Sequence, residues 1–302
     1  MKYFLSIVLI SLNIHFAKHD LGLKLKIGET YSQTMVSEAN IDQDIMGTSQ
    51  TMVMEISGKF SFEVKSEKNG VYTTDVQYDY LSLKTTTPFG ETLSSSEEGY
   101  DDIMSTVLRN MRGKVFTVML QKNGRIQEII DLDNLYSDIF NSLPPISEEQ
   151  KEQIVSQMKQ AYGEAAFKGN LEMVTAIFPE NEVEKGDKWN TKVKLESGMS
   201  GTLDNTYTLS QIEADYILIE GSSKFSTEDK EAYVDVQGMP TKYLLKGDVI
   251  SSYKIDPETN WTIEAKITQD ISGKVEIKDN PNVPGGMEIP MTLTSKITVT
   301  NK

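Results

Sequence analysis

The chain has no cysteine, and its only two histidines, His15 and His19, fall within the first twenty of 302 residues. Beyond His19, therefore, no side chain offers an imidazole or a thiol. Sites of the Ser-His-Asp or Cys-His type need an imidazole to take up the nucleophile's proton, and His- or Cys-bearing zinc sites need those ligands, so both classes are excluded. Disulfides are excluded as well, and so is the lipidated cysteine that anchors a bacterial lipoprotein; the fold must be held by its core. No Walker-type loop occurs and no Gly-x-Gly-x-x-Gly follows a strand pattern, which leaves nucleotide chemistry unsupported. Basic residues are in the minority, 30 against 45 acidic, for a net charge of −15. An acidic surface of this kind repels nucleic acid and anionic membranes and keeps the protein soluble. No catalytic residue, cofactor or metal ligand emerges, and the expectation is a protein that is not an enzyme.

Long apolar runs are also missing: no segment approaches the ~20 residues that a membrane-spanning helix requires. The longest, Phe4–Ile10, follows Lys2 and precedes the small residue Ala17. One positive charge, a short apolar core and a small residue at the end describe a secretory signal peptide over residues 1–17. The expected protein is exported, periplasmic or extracellular, and begins near Lys18. The remaining chain is long enough to bury a large core as one continuous domain.

Most of that chain alternates with the period of β-strands. Met52, Met54, Ile56, Gly58, Phe60, Phe62 and Val64 face one way, with polar residues between them. Asn69-Gly70 is a hairpin turn, because both residues tolerate the positive φ of a type I′ turn. Late in the chain, Trp261 to Ile271 and Ile289 to Val299 alternate in the same manner. The period changes between Asp131 and Lys168. There Leu132, Leu135, Tyr136, Ile139 and Phe140 form a helical stripe, with Asp131 as N-cap and Pro144-Pro145 as stop. Ser147 to Gln150 is a capping box that opens a second helix carrying Ile154, Met158, Ala161 and Tyr162. A further helix is expected over Glu98–Arg112. The expected organisation is a first β half (18–130), a helical insert (131–168) and a second β half (169–302).

One short pattern recurs. Lys26-Ile27-Gly28-Glu29-Thr30-Tyr31 matches Glu184-Lys185-Gly186-Asp187-Lys188-Trp189, and Lys246-Gly247-Asp248 is a partial third copy. The glycine permits a tight entry turn and the aromatic anchors the strand that follows, which suggests a duplicated sheet. At these residues, together with Phe178-Pro179 and the stretch through Gly273, the chain resembles a group of exported Bacteroidota proteins known only as a domain of unknown function. That resemblance implies a secreted, β-rich fold and transfers no activity.

Carboxylates are the chemistry left by default, since a glycosidase needs only two of them. The pairs are Asp101/Asp102, Asp131/Asp133 and Asp42/Asp44. The first two stand where helices begin and acids favour the helix dipole; the third lacks the glycine and distal glutamate of a calcium loop. Trp189 and Trp261 offer sugar platforms or, more simply, core anchors. Methionines are plentiful, and Met52, Met54, Met104 and Met111 fall on apolar faces where their flexible side chains suit an adaptable cavity. The expected fold is mainly β (a β-rich α+β class): a large curved antiparallel sheet with the helices on its concave face. Its architecture is similar to the half-barrel carriers of lipids and lipoproteins in the bacterial periplasm. The leading expectation is a binding protein for an apolar, lipid-like ligand held between sheet and helices. The alternatives are a cell-envelope protein- or glycan-interaction module without a cavity, and a carboxylate-only hydrolase.

Overall fold

A computed structural model of the protein describes residues 18–141, 143, 145–195, 200–227, 233–236, 238–281 and 283–302. Residues 1–17, where a signal peptide is expected, and Pro144 lie outside the described residues. The first half contains β1 (Thr30–Ile45), β2 (Thr48–Lys68), β3 (Val71–Thr87), β4 (Gly90–Ser95), α1 (Ile103–Met111), β5 (Val115–Gln121) and β6 (Ile126–Ile130). Helices α2 (Glu148–Tyr162) and α3 (Glu164–Thr175) follow. The second half contains β7 (Lys188–Leu195), β8 (Gly201–Ile212), β9 (Ile217–Thr227), β10 (Val234–Val236), β11 (Met239–Ile255), β12 (Thr262–Ile277) and β13 (Met287–Thr300).

The thirteen described strands belong to one sheet, in the order β6-β5-β3-β2-β1-β13-β12-β11-β9-β8-β7, with β4 on β3 and β10 on β11. Every pairing among the described strands is antiparallel, and each half is a meander apart from the short strands β4 and β10, which pair with β3 and β11. Strand β3 pairs with β5 past β4 and β9 with β11 past β10, while the junction of β1 with β13 seals the two halves side by side. The edges left open are β6 and β7, and the chain between those two strands is the helical segment.

Laid flat, eleven strands ~4.8 Å apart would hold β6 and β7 almost 50 Å from each other. Yet Arg125, in the turn before β6, donates a guanidinium hydrogen bond to the Lys192 carbonyl of β7 at 2.9 Å. Helix α3, only ~18 Å long, packs against β6, β7 and β12. The sheet therefore curls around α3. Its edges are joined through that helix: Thr175 donates to the Gly124 carbonyl at 2.7 Å, Thr191 on β7 donates to the Ala176 carbonyl at 3.4 Å, and Trp189 donates to Ile177 at 2.8 Å. Gly124 is required at this seam, since a Cβ there would lie 1.8 Å from the Thr175 carbonyl oxygen.

One end of the curled sheet is sealed by residues 21–25. Their alternation predicts a strand, and Leu21, Leu23 and Leu25 are indeed buried, but the segment lies outside the sheet. Its partners are turns. The Leu23 N–H donates to Lys122 at 2.7 Å and the Lys24 N–H to Thr259 at 2.8 Å, while Asn260 donates to the Gly22 carbonyl at 2.8 Å. Lys122 belongs to the first half and Thr259-Asn260 to the second, so this strap ties the halves together.

Three local expectations are corrected. The segment from Leu132 to Phe140 is a short 3-10 turn, Leu132–Tyr136, rather than an α-helix. Asp131 and Asp138 take positive φ (61° and 63°), and Ser137 turns its hydroxyl onto the Asn134 carbonyl at 2.7 Å. Asn, Asp and Ser side chains compete in this way with helical bonds. The apolar stripe survives because Leu132, Leu135 and Ile139 are buried. In the second correction, α3 extends beyond Lys168, where the second β half was expected to start. In the third, α1 starts at Ile103 rather than at Glu98, because Asp102 takes extended backbone and caps the helix there.

Candidate functional site

An apolar cavity of about 230 Å³ lies between β1, β2, β3 and β13 on one side and helices α1, α2 and α3 on the other. Its floor is set by strand period. Gln33, Met35 and Ser37 point inward from β1, Met54, Ile56 and Phe60 from β2, and Ile297 and Val299 from β13. Register aligns these rows: Met35 pairs with Gly58 and Val299, and Ser37 with Ile56 and Ile297. The roof comes from helical spacing, with Met104 and Leu108 on α1, Met158 and Tyr162 on α2, and Phe167, Leu171 and Val174 on α3.

Five methionines line the space: Met35, Met54, Met104, Met158 and Met173. Met158 and Met173 are buried, whereas Met35, Met54 and Met104 are half-buried and mark where the cavity meets solvent. Of the methionines singled out from sequence, Met54 and Met104 thus line the cavity. Met52 lies one inward step further along β2, opposite Ile41, and Met111 is fully buried in the core away from the lining.

No Asp, Glu, Lys or Arg occurs among the described lining residues. The two tyrosines are neutral as well. Burial pushes the Tyr162 phenol up to about 12, and burial, followed by the neighbouring Tyr162 and Tyr136, raises Tyr78 well above its ordinary value. The other polar lining residues are Gln33, Ser37, Ser57 and Asn170, and of these only Gln33 is fully buried while the others are half-buried. Gln33 is 3% exposed, and its Nε2 has no hydrogen-bond partner among the described residues.

Four of the six paired carboxylates, Asp42, Asp44, Asp102 and Asp133, have local partners instead. Asp102 is the N-cap of α1, accepting from the Ser105 N–H at 2.9 Å, from Ser94 at 2.9 Å, and from the Ser105 hydroxyl. Asp42 accepts from Thr51 at 2.5 Å, and Asp44 from the Gly47 N–H at 2.7 Å in the β1–β2 turn. Asp133 is exposed and 3.5 Å from Lys159. Among the described residues no group of three His, Cys, Asp or Glu gathers that would hold a metal ion. Trp261 is 3% exposed, with its ring 5.3 Å from both Tyr31 and Phe62; half-buried Trp189 packs on Tyr207. Both indoles anchor strands.

The Asp102 cap carries a pH signature. Burial opposes its charge, but the bonds from Ser105 and Ser94 outweigh burial and leave its pKa below the ordinary value. A lowered folded pKa contributes stability above the unfolded value, and the contribution is lost as pH falls through the folded one. Asp102→Ala is expected to lose about 0.5–2 kcal/mol at neutral pH. Urea denaturation should show that deficit shrinking as acid protonates the wild-type cap, while Asp102→Asn, with no charge to lose, shows a flatter profile.

Sequence reasoning missed Gln33, Met35 and the whole α3 contribution. Gln33 is a polar residue in an inward row, and nothing in the pattern separates it from an outward one. Helix α3 did leave a signal, Phe167, Leu171 and Val174 at i, i+4 and i+7, which is visible only when Phe167 is counted.

A family model described as "Family of unknown function (DUF6263)" matches residues 69–262, well over half of the chain. No curated protein matches. Among solved structures, lipovitellin, titled for its lipid-protein interactions, aligns with 92% of this chain at 11% identity and a TM-score of 0.49. The chain spans only 25% of that lipovitellin chain. The COG4313 outer membrane channel from Pseudomonas putida F1 aligns over 92% of this chain and 97% of its own, at 7% identity and a TM-score of 0.26. A DUF1329 family protein from Desulfovibrio piger ATCC 29098 aligns over 89% and 85%, at 11% identity and a TM-score of 0.13. At these scores the likenesses extend neither to activity nor to ligand.

Proposed function

This chain belongs to the DUF6263 family of unknown function, and from that footing we propose that it is an exported, non-enzymatic protein that binds one apolar molecule between sheet and helices. The observation that carries the reading is the cavity itself: uncharged throughout its described lining, rimmed by three half-buried methionines, and continuous with an apolar inner face. That face runs on through the Ala39–Met54 and Ile41–Met52 pairs toward the far end of the sheet. Unbranched thioether side chains change rotamer cheaply, so such a rim admits ligands of varied shape.

Size narrows the class. A dry cavity of about 150 Å³ takes a benzene molecule, so 230 Å³ suits a single alkyl chain or a small ring system. The two chains of a phospholipid do not fit without rearrangement. The uncharged fluorophore N-phenyl-naphthylamine is expected to bind one-to-one and to be displaced by single-chain or ring compounds before two-chain lipids, with native mass spectrometry reporting any co-purified ligand. Absence of saturable dye binding would sink the reading.

One observation favours a second reading, an interaction module in the cell envelope. Met46 and Phe89, in turns at the same end of the sheet, are 82% and 89% exposed. A protein that failed to bind the dye but lost a partner on Met46→Ser, Phe89→Ser substitution would be of that kind.

A further inference from the structure

Gln33 contradicts the economy of the cavity it lines. Its cross-strand partner on β2 is Phe60, and the next inward positions are apolar or small: Met35 and Ser37 on β1, with Gly58 and Val299 paired to Met35. Gln33 is 97% buried, yet its amide Nε2 donates to nothing among the described residues. Leaving such a donor unpaired costs the desolvation of the group, whereas an apolar residue of similar shape costs nothing of the kind. Buried polar groups are almost always satisfied, and an exception points to a role outside the empty fold.

We propose that Gln33 is the polar contact for the ligand, and that the ligand carries an uncharged hydrogen-bond acceptor, an ester, ketone or amide carbonyl, at the end of its apolar body that reaches β1. This rests on the cavity reading above and narrows its chemistry. An N–H donor selects an acceptor. The described lining offers no cation to balance a carboxylate or a phosphate, and a bare charge in such a site costs far more than one amide hydrogen bond returns. A site built around one buried donor also discriminates against analogues that lack the acceptor, because binding them leaves the donor unpaired.

The test uses three compounds with the same number of heavy atoms and nearly the same shape: acetophenone, isopropylbenzene and benzoate. Each is titrated against dye-loaded protein, wild type and Gln33→Leu. The expected result is displacement by acetophenone in the wild type and weak displacement by benzoate at neutral pH. Gln33→Leu should bind acetophenone about tenfold more weakly, a factor equivalent to ~1.4 kcal/mol, while isopropylbenzene binds as well or better. The same variant should melt about 2–4 °C higher, because it removes an unpaired buried donor. Gain of stability with loss of ketone selectivity separates a ligand contact from a residue that only supports the fold. If the dye does not bind at all, the cavity reading falls and this inference with it. If the dye binds and Gln33→Leu weakens ketone and hydrocarbon equally, or neither, the inference alone is overturned.

Discussion

Phe167→Ala is expected to cost about 3–5 kcal/mol of folding stability. Phe167 comes from α3 and is 5% exposed, at the point where the helix presses into the curl of the sheet. Its ring stands edge-on to Phe116 at 5.0 Å and reaches Phe60 and Tyr78 at 6.2 and 6.4 Å. Edge-to-face pairs each add about 0.5–1.5 kcal/mol beyond the area they bury, and three are lost together. The neighbours are rings held on β2, β3 and β5 that cannot collapse into the gap, so the cost belongs at the upper end of the range. Urea denaturation should show a lower midpoint with an unchanged slope. Phe140→Ala serves as the comparison: Phe140 is only half-buried, so its loss should be clearly smaller. A Phe167→Ala loss within ~0.5 kcal/mol, the range of surface substitutions, would mean that α3 does not hold the edges of the sheet together.

The large features were legible because they follow from period. Two-residue alternation over long stretches, broken by a helical segment, dictates a sheet with helices on one face, and that is the architecture found. The recurring Gly-acid-x-aromatic pattern proves structural as well. Gly28 and Gly186 take φ of 85° and 95°. The Gly28 N–H donates to Val64 and Val64 returns a bond to Glu29; the Gly186 N–H donates to Leu209 and Leu209 returns a bond to Asp187. Both halves thus begin with the same hydrogen-bonded turn into the same kind of hairpin. The partial copy at Gly247 is different. It lies in the middle of β11, where a Cβ would lie 2.1 Å from the Asp270 carbonyl oxygen, so that glycine answers to a close strand approach rather than to an entry turn.

What stayed illegible depends on partners far away in sequence. Leu21, Leu23 and Leu25 carry the pattern of a strand, and only the positions of Lys122 and Thr259 make them a strap. Residues 37–45 look like a polar connection because β1 has a half-open inner face there, so its inward row includes Ser37, Ala39 and Gln43. The cavity lining is distributed over four strands and three helices, and a pattern read along one strand reports which face a residue takes without saying what lies opposite. That is why Met54 and Met52, alike in sequence context, occupy different places.

That difference sets the second large effect. Met54→Glu is expected to weaken dye binding at neutral pH by more than about a hundredfold, an effect of ~2.7 kcal/mol. Met54 pairs with Ala39 on the inner face and lines the cavity, so a carboxylate there must be desolvated when a ligand enters, and no described lining residue supplies a cation to meet it. Desolvation raises a carboxyl pKa above its ordinary ~4.3, and a ligand that displaces water raises it further. Binding to the variant should therefore recover as the pH is lowered through that raised pKa, whereas wild-type binding stays flat over the same interval because its described lining does not titrate there. Met52→Glu is the control. It puts the same charge on the same face of β2 one step beyond the lining, where the carboxylate can stay in water, and its effect should be several-fold at most. Equal loss in the two variants, or loss at Met54 that acid does not reverse, would place the ligand elsewhere on the inner face. Met104→Lys tests the opposite wall with the opposite sign of charge: its binding should recover as pH rises through the lowered pKa of the introduced amine, since desolvation again favours the neutral form. Recovery in opposite directions at Met54 and Met104 requires one dry space with β2 on one side and α1 on the other.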